Sequence, residues 1–173
     1  MIPFEKKNNT PVSAHTHFKR LGRELAMQFL YLHDMSGGSE DAESRAMFWE
    51  QAAEADLTDD ERTFRKARTY AEKLIEGITA HLKEIDEVIA SYSEKWDFSR
   101  IAAVDRNIIR VAVYELKYCP DIPALVSIDE AIEISKDYAN EKSGTFINGI
   151  LNGVKDSLPP GTKQNFRSGG KKQ

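Results

Sequence analysis

Asp105-Arg106-Asn107-Ile108-Ile109-Arg110-Val111-Ala112-Val113-Tyr114-Glu115-Leu116 is the stretch on which the fold turns. Ile108, Ile109, Ala112, Val113 and Leu116 recur with the 3.6-residue period of a helix that buries one face. Asp105 is suited to cap this helix, and Cys119-Pro120-Asp121-Ile122-Pro123 breaks it. Downstream, Ser127 and Glu130 have the spacing of a capping box, followed by Ile128, Ala131, Ile132, Ser135 and Tyr138 along one side. Ser143 is read as the cap of a last helix whose Phe146, Ile147, Ile150, Leu151 and Val154 are apolar and which Pro159-Pro160 stops.

Upstream the same period recurs. Phe18, Leu21, Leu25, Phe29 and Leu32 predict a first helix that ends at Ser36-Gly37-Gly38-Ser39. Residues 41–55 predict a short second helix with Phe48, Trp49 and Ala52 inward. Thr58 and Glu61 form another capping-box spacing before a long periodic run from Phe64 to Ile89. That run exceeds an ordinary globular helix, so a break is expected near Lys83 or Glu84, with Tyr92 at its end. Trp96, Phe98 and Ile101 read as buried contacts of a connector. No β-alternation is evident, and the fold class is all-α with about seven helices.

Composition narrows the function. A chain of 173 residues, 40% hydrophobic and 30% charged, is long enough to bury a core without disulfides, and its one cysteine, Cys119, has no internal partner. The apolar runs are far shorter than the roughly 20 residues of a spanning helix, and residues 1–30 have no apolar signal-peptide core; a cytoplasmic protein is expected. The net charge of −4 is unevenly distributed. Residues 1–23 carry five bases against one acid, and residues 159–173 carry four bases and no acid. The stretch between them holds 15 bases and 27 acids. Such a division suits an anionic partner at the ends and a basic partner on the body, or plain solubilising charge. Residues 1–17 read as a flexible arm, 18–158 as the folded domain and 159–173 as a disordered basic tail.

Enzyme signatures are missing. Gly144-Thr145-Phe146-Ile147-Asn148-Gly149 lacks the Lys-Ser/Thr of a phosphate-binding loop. His15, His17, His33 and His81 do not have zinc-site spacing, so neither metal nor cofactor is expected. Lys19, Arg20 and Arg23 crowd the opening turns of the first helix, where positive charge opposes the macrodipole, and a bound polyanion is one reason for them. Single-stranded nucleic acid needs such charge together with aromatic faces, which Tyr92 and Phe146 offer if folding joins their helix ends.

Four blocks in order carry a family resemblance: residues 105–116; Asp121-Ile122-Pro123; Ser127 to Lys136; and Lys142-Ser143-Gly144-Thr145-Phe146-Ile147-Asn148-Gly149-Ile150-Leu151. With Arg23-Glu24-Leu25-Ala26 and Gln28-Phe29-Leu30-Tyr31, they resemble the NusB transcription antitermination family over about residues 18–158. The resemblance implies a fold of two packed helical bundles and a non-enzymatic role. It implies binding of single-stranded boxA RNA together with NusE, a small-subunit ribosomal protein, in an RNA polymerase complex that reads through terminators, notably in ribosomal RNA operons.

By position, the resemblance assigns Lys19, Arg20 and Arg23 to RNA phosphates, Tyr92 and Phe146 to aromatic RNA contacts, and Lys142 and Ser143 to the loop and cap beside Phe146. It assigns Asp105 and Tyr31 to the NusE interface. Asp105 and Ser143 are equally good caps, and Tyr31 suits a packed position. Arg106, Arg110 and Glu115 are expected to pair internally between helices, and Asn148 and Gly149 to permit close helix approach. Two departures lower the charge of the RNA face: Gly22 interrupts the basic cluster, and Thr145 stands where a base is common. RNA binding is therefore expected to depend on NusE. A NusB-like domain also forms the N-terminal part of some ribosomal RNA cytosine methyltransferases, but here no room follows for a methyl-donor domain. A homodimer that masks its own RNA face is a third reading.

Overall fold

A computed structural model describes residues 17–38, 41–93 and 97–163. The arm at residues 1–16, Trp96 and residues 164–173 lie outside the described residues. Seven α-helices follow one another: α1 (Phe18–Met35), α2 (Ala42–Glu54), α3 (Glu61–Ala80), α4 (Leu82–Tyr92), α5 (Ala103–Tyr118), α6 (Ala124–Tyr138) and α7 (Ser143–Asp156). A 3-10 turn at Phe98–Arg100 precedes α5. The break in the long third stretch falls at His81, two residues before the expected position.

Several caps differ from the sequence reading. Asp60, not Thr58, caps α3, accepting from the backbone N–H groups of Arg62 and Thr63. α5 starts at Ala103, so Asp105 is inside its first turn. α6 starts after Pro123, whose fixed φ suits a helix entrance, so Ser127 and Glu130 are helical residues, not a capping box. Lys142 precedes α7, leaving the Ser143 hydroxyl free for another helix. In each of the last three cases a polar side chain suited to a cap is used in a tertiary contact.

α5 is the centre. It packs against α1, α3, α4, α6 and α7, while α1 runs along α3. α1 to α3 form one bundle and α4 to α7 the other, with α5 touching both. Because α1 is enclosed by α3 and α5, every residue from Leu21 to Leu30 is buried, including Arg23, Glu24 and Gln28. The apolar stripe read from Phe18 to Leu32 is therefore only part of its buried surface. Gly22 makes the α1–α3 approach possible, since a Cβ there would lie 2.8 Å from the Tyr70 ring and 3.0 Å from the Ala67 carbonyl oxygen.

Two polar networks tie α1 to α5 and show that the helices run antiparallel. Near the start of α1, Arg23 Nε donates to both oxygens of Glu115 at 2.9 and 3.0 Å, and the Tyr70 hydroxyl from α3 donates to the same carboxylate. Near the end of α1, Asp34 accepts from Arg106 at 2.9 Å, Asn107 at 3.0 Å and Arg110 at 2.8 Å. Arg110 reaches onward to Asp86 of α4 through two 2.8 Å bonds. The internal pairing expected of Arg106, Arg110 and Glu115 is present. Lys163, in the first residues of the basic tail, donates to the Glu115 and Cys119 carbonyls at 2.6 and 2.9 Å and so closes the end of α5.

Glu115 has no exposure, so removing it strands a buried guanidinium. Glu115→Ala is expected to cost about 3–5 kcal/mol in urea unfolding; a loss under about 1 kcal/mol, the scale of an exposed pair, contradicts this role. Burial raises the Asp34 pKa, but hydrogen bonds from Arg110, Asn107 and Arg106 outweigh it and hold the carboxyl below its ordinary 3.8. Such a group adds stability above its unfolded pKa and loses that contribution as pH falls through the depressed folded value. Asp34→Asn is expected to destabilise the chain at neutral pH, with the deficit shrinking below about pH 4. A deficit that stays constant into strong acid argues against it.

Candidate nucleic-acid interface

The basic opening of α1 is largely engaged within the protein. Arg20 forms a two-point ion pair with Glu130 of α6, one arm at 2.7 Å. Burial raises the Glu130 pKa, but the Arg20 hydrogen bond and charge bring it below its ordinary value, so the pair is ionised. Arg23 is 4% exposed and is held by Glu115, with Glu130 at 3.3 Å. The Arg23 guanidinium therefore lies inside the helix junction, whereas the sequence reading places it toward RNA phosphate. Among the described residues Lys19 is not paired in this way; its Nζ lies 5.7 Å above the Tyr70 ring.

A second group lies on α7. Lys142, Phe146, Gly149 and Gly153 recur at spacings of four, three and four, so they share one side of the helix over about 16 Å. Phe146 is half-buried, Lys142 and Gly149 are exposed, and Gly149 has no neighbour within 4 Å of a built Cβ. Tyr92, at the end of α4, lays its ring against Gly153, where a Cβ would approach Tyr92 Cδ1 to 2.6 Å. The ring is nonetheless 37% exposed. The result is a shallow strip with an ammonium at one end, two aromatic rings along it and an open glycine between them. The close approach expected at Gly149 is instead made at Gly153, which the sequence reading missed. Its signal was present in the spacing, because Gly153 continues the side that begins with Lys142 and Phe146.

Asp105 and Ser143 are joined to one another. The Ser143 hydroxyl lies 2.9 Å from both Asp105 oxygens, in a contact where both residues are buried. The pair fastens the start of α7 to the start of α5. Tyr31 lies one turn before Asp34, which bonds Arg106 and Asn107, so Tyr31 and Asp105 share that end of the α1–α5 pair. Lys19 and Arg20 belong to the other end. Ten residues of α5 separate Asp105 from Glu115, about 15 Å along the axis, so the charged residues do not form one cluster.

The arrangement offers stacking and charge. Burial, followed by the Glu115 charge, pushes the Cys119 thiol up to about 11, which leaves it a poor nucleophile at neutral pH. No group of three metal-ligating side chains is found among the described residues, and no described helix is long and apolar enough to cross a membrane.

Comparison with known proteins decides the family. The NusB family model matches residues 20–156. The chain belongs to the NusB family. Transcription antitermination protein NusB of Myxococcus xanthus is 40% identical over 140 residues, covering 81% of this chain and 96% of that protein. The T. maritima NusB structure aligns with a TM-score of 0.67 and 37% identity, covering 82% of this chain and 93% of that one. A chain from the crystal structure of a plectonemic RNA supercoil aligns equally well, at TM-score 0.67 and 28% identity, covering 82% and 96%. The NusB relatives are transcription antitermination proteins, a regulatory and not an enzymatic class. The all-helical NusB fold agrees with the sequence expectation.

Gly149 and Gly153 of α7 give contrasting expectations in this NusB chain. Gly149→Ala gains up to about 1 kcal/mol of helix propensity in urea unfolding, because nothing occupies the space. Gly153→Ala displaces the Tyr92 ring and costs about 1–3 kcal/mol. Equal effects would show that Tyr92 does not rest on Gly153.

Proposed function

We propose that this chain is a cytoplasmic transcription antitermination factor that binds single-stranded boxA-type RNA together with the ribosomal protein NusE. In that role it helps RNA polymerase read through terminators, notably in ribosomal RNA operons. The observation that supports the RNA reading is the α7 strip, where Lys142, Phe146 and Tyr92 share one side. Sequence-specific recognition of RNA favours unpaired bases stacked on aromatic side chains. Phe146 and Tyr92 supply two such faces, and Lys142 supplies charge for a phosphate. Lys19, and Arg20 through the exposed part of its ion pair with Glu130, supply charge at the far end.

For the protein partner, the support is electrostatic. The stretch between the basic ends carries 15 bases and 27 acids, which suits a basic ribosomal protein. The end of the α1–α5 pair that carries Tyr31 is the proposed contact, with Asp105 acting indirectly by holding Ser143 and the start of α7. Because Arg23 and most of Arg20 are engaged internally, NusE supplies contacts that this chain lacks, and RNA alone binds weakly.

Binding of labelled boxA RNA with and without NusE tests this. NusE is expected to tighten binding, and Phe146→Ala to weaken it by roughly 5- to 150-fold, one lost stack. Equal affinity for a scrambled RNA, or no response to Phe146→Ala, overturns the reading.

A further inference from the structure

Gly149 is a residue of α7 that neither the backbone nor the packing accounts for. Positive φ values among the described glycines fall at Gly37, Gly38 and Gly161, not at Gly149, so the local conformation does not call for glycine. Packing does not call for it either: Gly153 makes room for the Tyr92 ring, whereas a Cβ at Gly149 would meet nothing within 4 Å. Gly149 is exposed and lies in the middle of α7, where glycine costs helix stability relative to alanine. Asn148 and Asn152 beside it bond along the helix, Asn152 Nδ2 donating to the Asn148 carbonyl at 2.9 Å and to Asn148 Oδ1 at 2.8 Å.

Phe146 precedes Gly149 by three residues, and Gly153, on which Tyr92 lies, follows it by four, so the open position falls on the same side of the helix between the two rings. Phe146 and Gly153 are about 10 Å apart along the axis, the length of about three stacked nucleotides at about 3.4 Å each. A strand that stacks on both rings must cross α7 at Gly149. A helical side chain covers the turn that precedes its own Cα, so a glycine at 149 puts no side chain over the Thr145 and Phe146 carbonyls. Mid-helix N–H groups are taken by carbonyls four residues back, while each carbonyl oxygen keeps a second lone pair. The bare surface therefore accepts hydrogen bonds and donates none. On a single RNA strand, the donor present at every nucleotide whatever its base is the ribose 2′-hydroxyl.

We propose that Gly149 is a specificity-determining position of the RNA site: the strand passes against bare helix backbone there, and one of its riboses donates a 2′-hydroxyl to the carbonyls that a side chain would cover. The proposal rests on the RNA-binding reading above and names what the α7 strip reads between its two rings. Phe146 and Tyr92 hold bases, and Gly149 distinguishes a ribose from a deoxyribose. The glycine lowers helix stability and in return permits an approach closer than a Cβ allows.

The test uses the full chain with NusE, the boxA RNA, and a series of the same RNA in which one ribose at a time is replaced by 2′-deoxyribose. With the native chain, at least one member of the series is expected to bind about 2- to 10-fold more weakly than the unmodified RNA, the loss of one hydrogen bond. Gly149→Ala is expected to raise the urea midpoint and yet weaken the unmodified RNA, and Gly149→Leu to weaken it further. A purely structural glycine moves stability and binding together, so opposite signs mark the contact. In Gly149→Ala the sensitive 2′-deoxy replacement is expected to cost nothing more, because both changes remove the same hydrogen bond. Unchanged RNA affinity in both Gly149 variants overturns the proposal, as does a series without a sensitive member or a 2′-deoxy penalty that persists in full in Gly149→Ala. Phe146→Ala separates this contact from the reading beneath it. If Phe146→Ala weakens binding and the Gly149 variants do not, the α7 strip stands and the Gly149 contact falls; if none of the three weakens binding, both fall.

Discussion

Glu115 has no contact with solvent, yet it carries a charge that Arg23 of α1 neutralises through two hydrogen bonds and that Tyr70 of α3 approaches with its hydroxyl. A buried carboxylate tolerates few positions for its partners, because an unpaired charge in that interior costs several kcal/mol. The three helices that meet there are therefore fixed in register. Arg23 must face inward, Gly22 beside it must lack a side chain so that α1 can reach Tyr70, and α1 must run antiparallel to α5 so that Asp34 arrives at Arg106, Asn107 and Arg110. Lys163 then caps the end of α5 over the same residue.

The same constraint determines what remains available for binding. Arginines near the start of α1 look like a polyanion site when read along the chain, but one is buried and another is paired with Glu130. Lys142 and much of Tyr92 on the α7 strip remain exposed. A net charge of −4 conceals the uneven distribution of charge along the chain. Under the proposed function, recognition is local: a few rings and a few cations on an acidic body, with a second protein contributing the rest.

Helix periods were legible from apolar spacing, because burial on one face leaves a regular trace in Ile108, Ile109, Ala112, Val113 and Leu116. The family blocks after Asp105 pointed to the fold as a whole. Polar residues were harder to place. Asp105, Glu130 and Ser143 have the chemistry and spacing of caps, and a local rule has no means of seeing that another helix competes for each. Glycine was similarly ambiguous. Gly149 and Gly153 are both in α7, and only the position of Tyr92, 57 residues or more away in sequence, distinguishes an open site from a close contact.

The central claim is that RNA meets the α7 strip while the Arg23–Glu115 junction stays closed. Amide and aromatic NMR shifts recorded as boxA RNA is added to the NusE-bound chain test it directly. The account predicts shifts concentrated at residues 142–153 and the Tyr92 ring, with Arg23 and Glu115 unmoved. Shifts centred on Arg23 and Glu115, with the α7 signals unchanged, would contradict it.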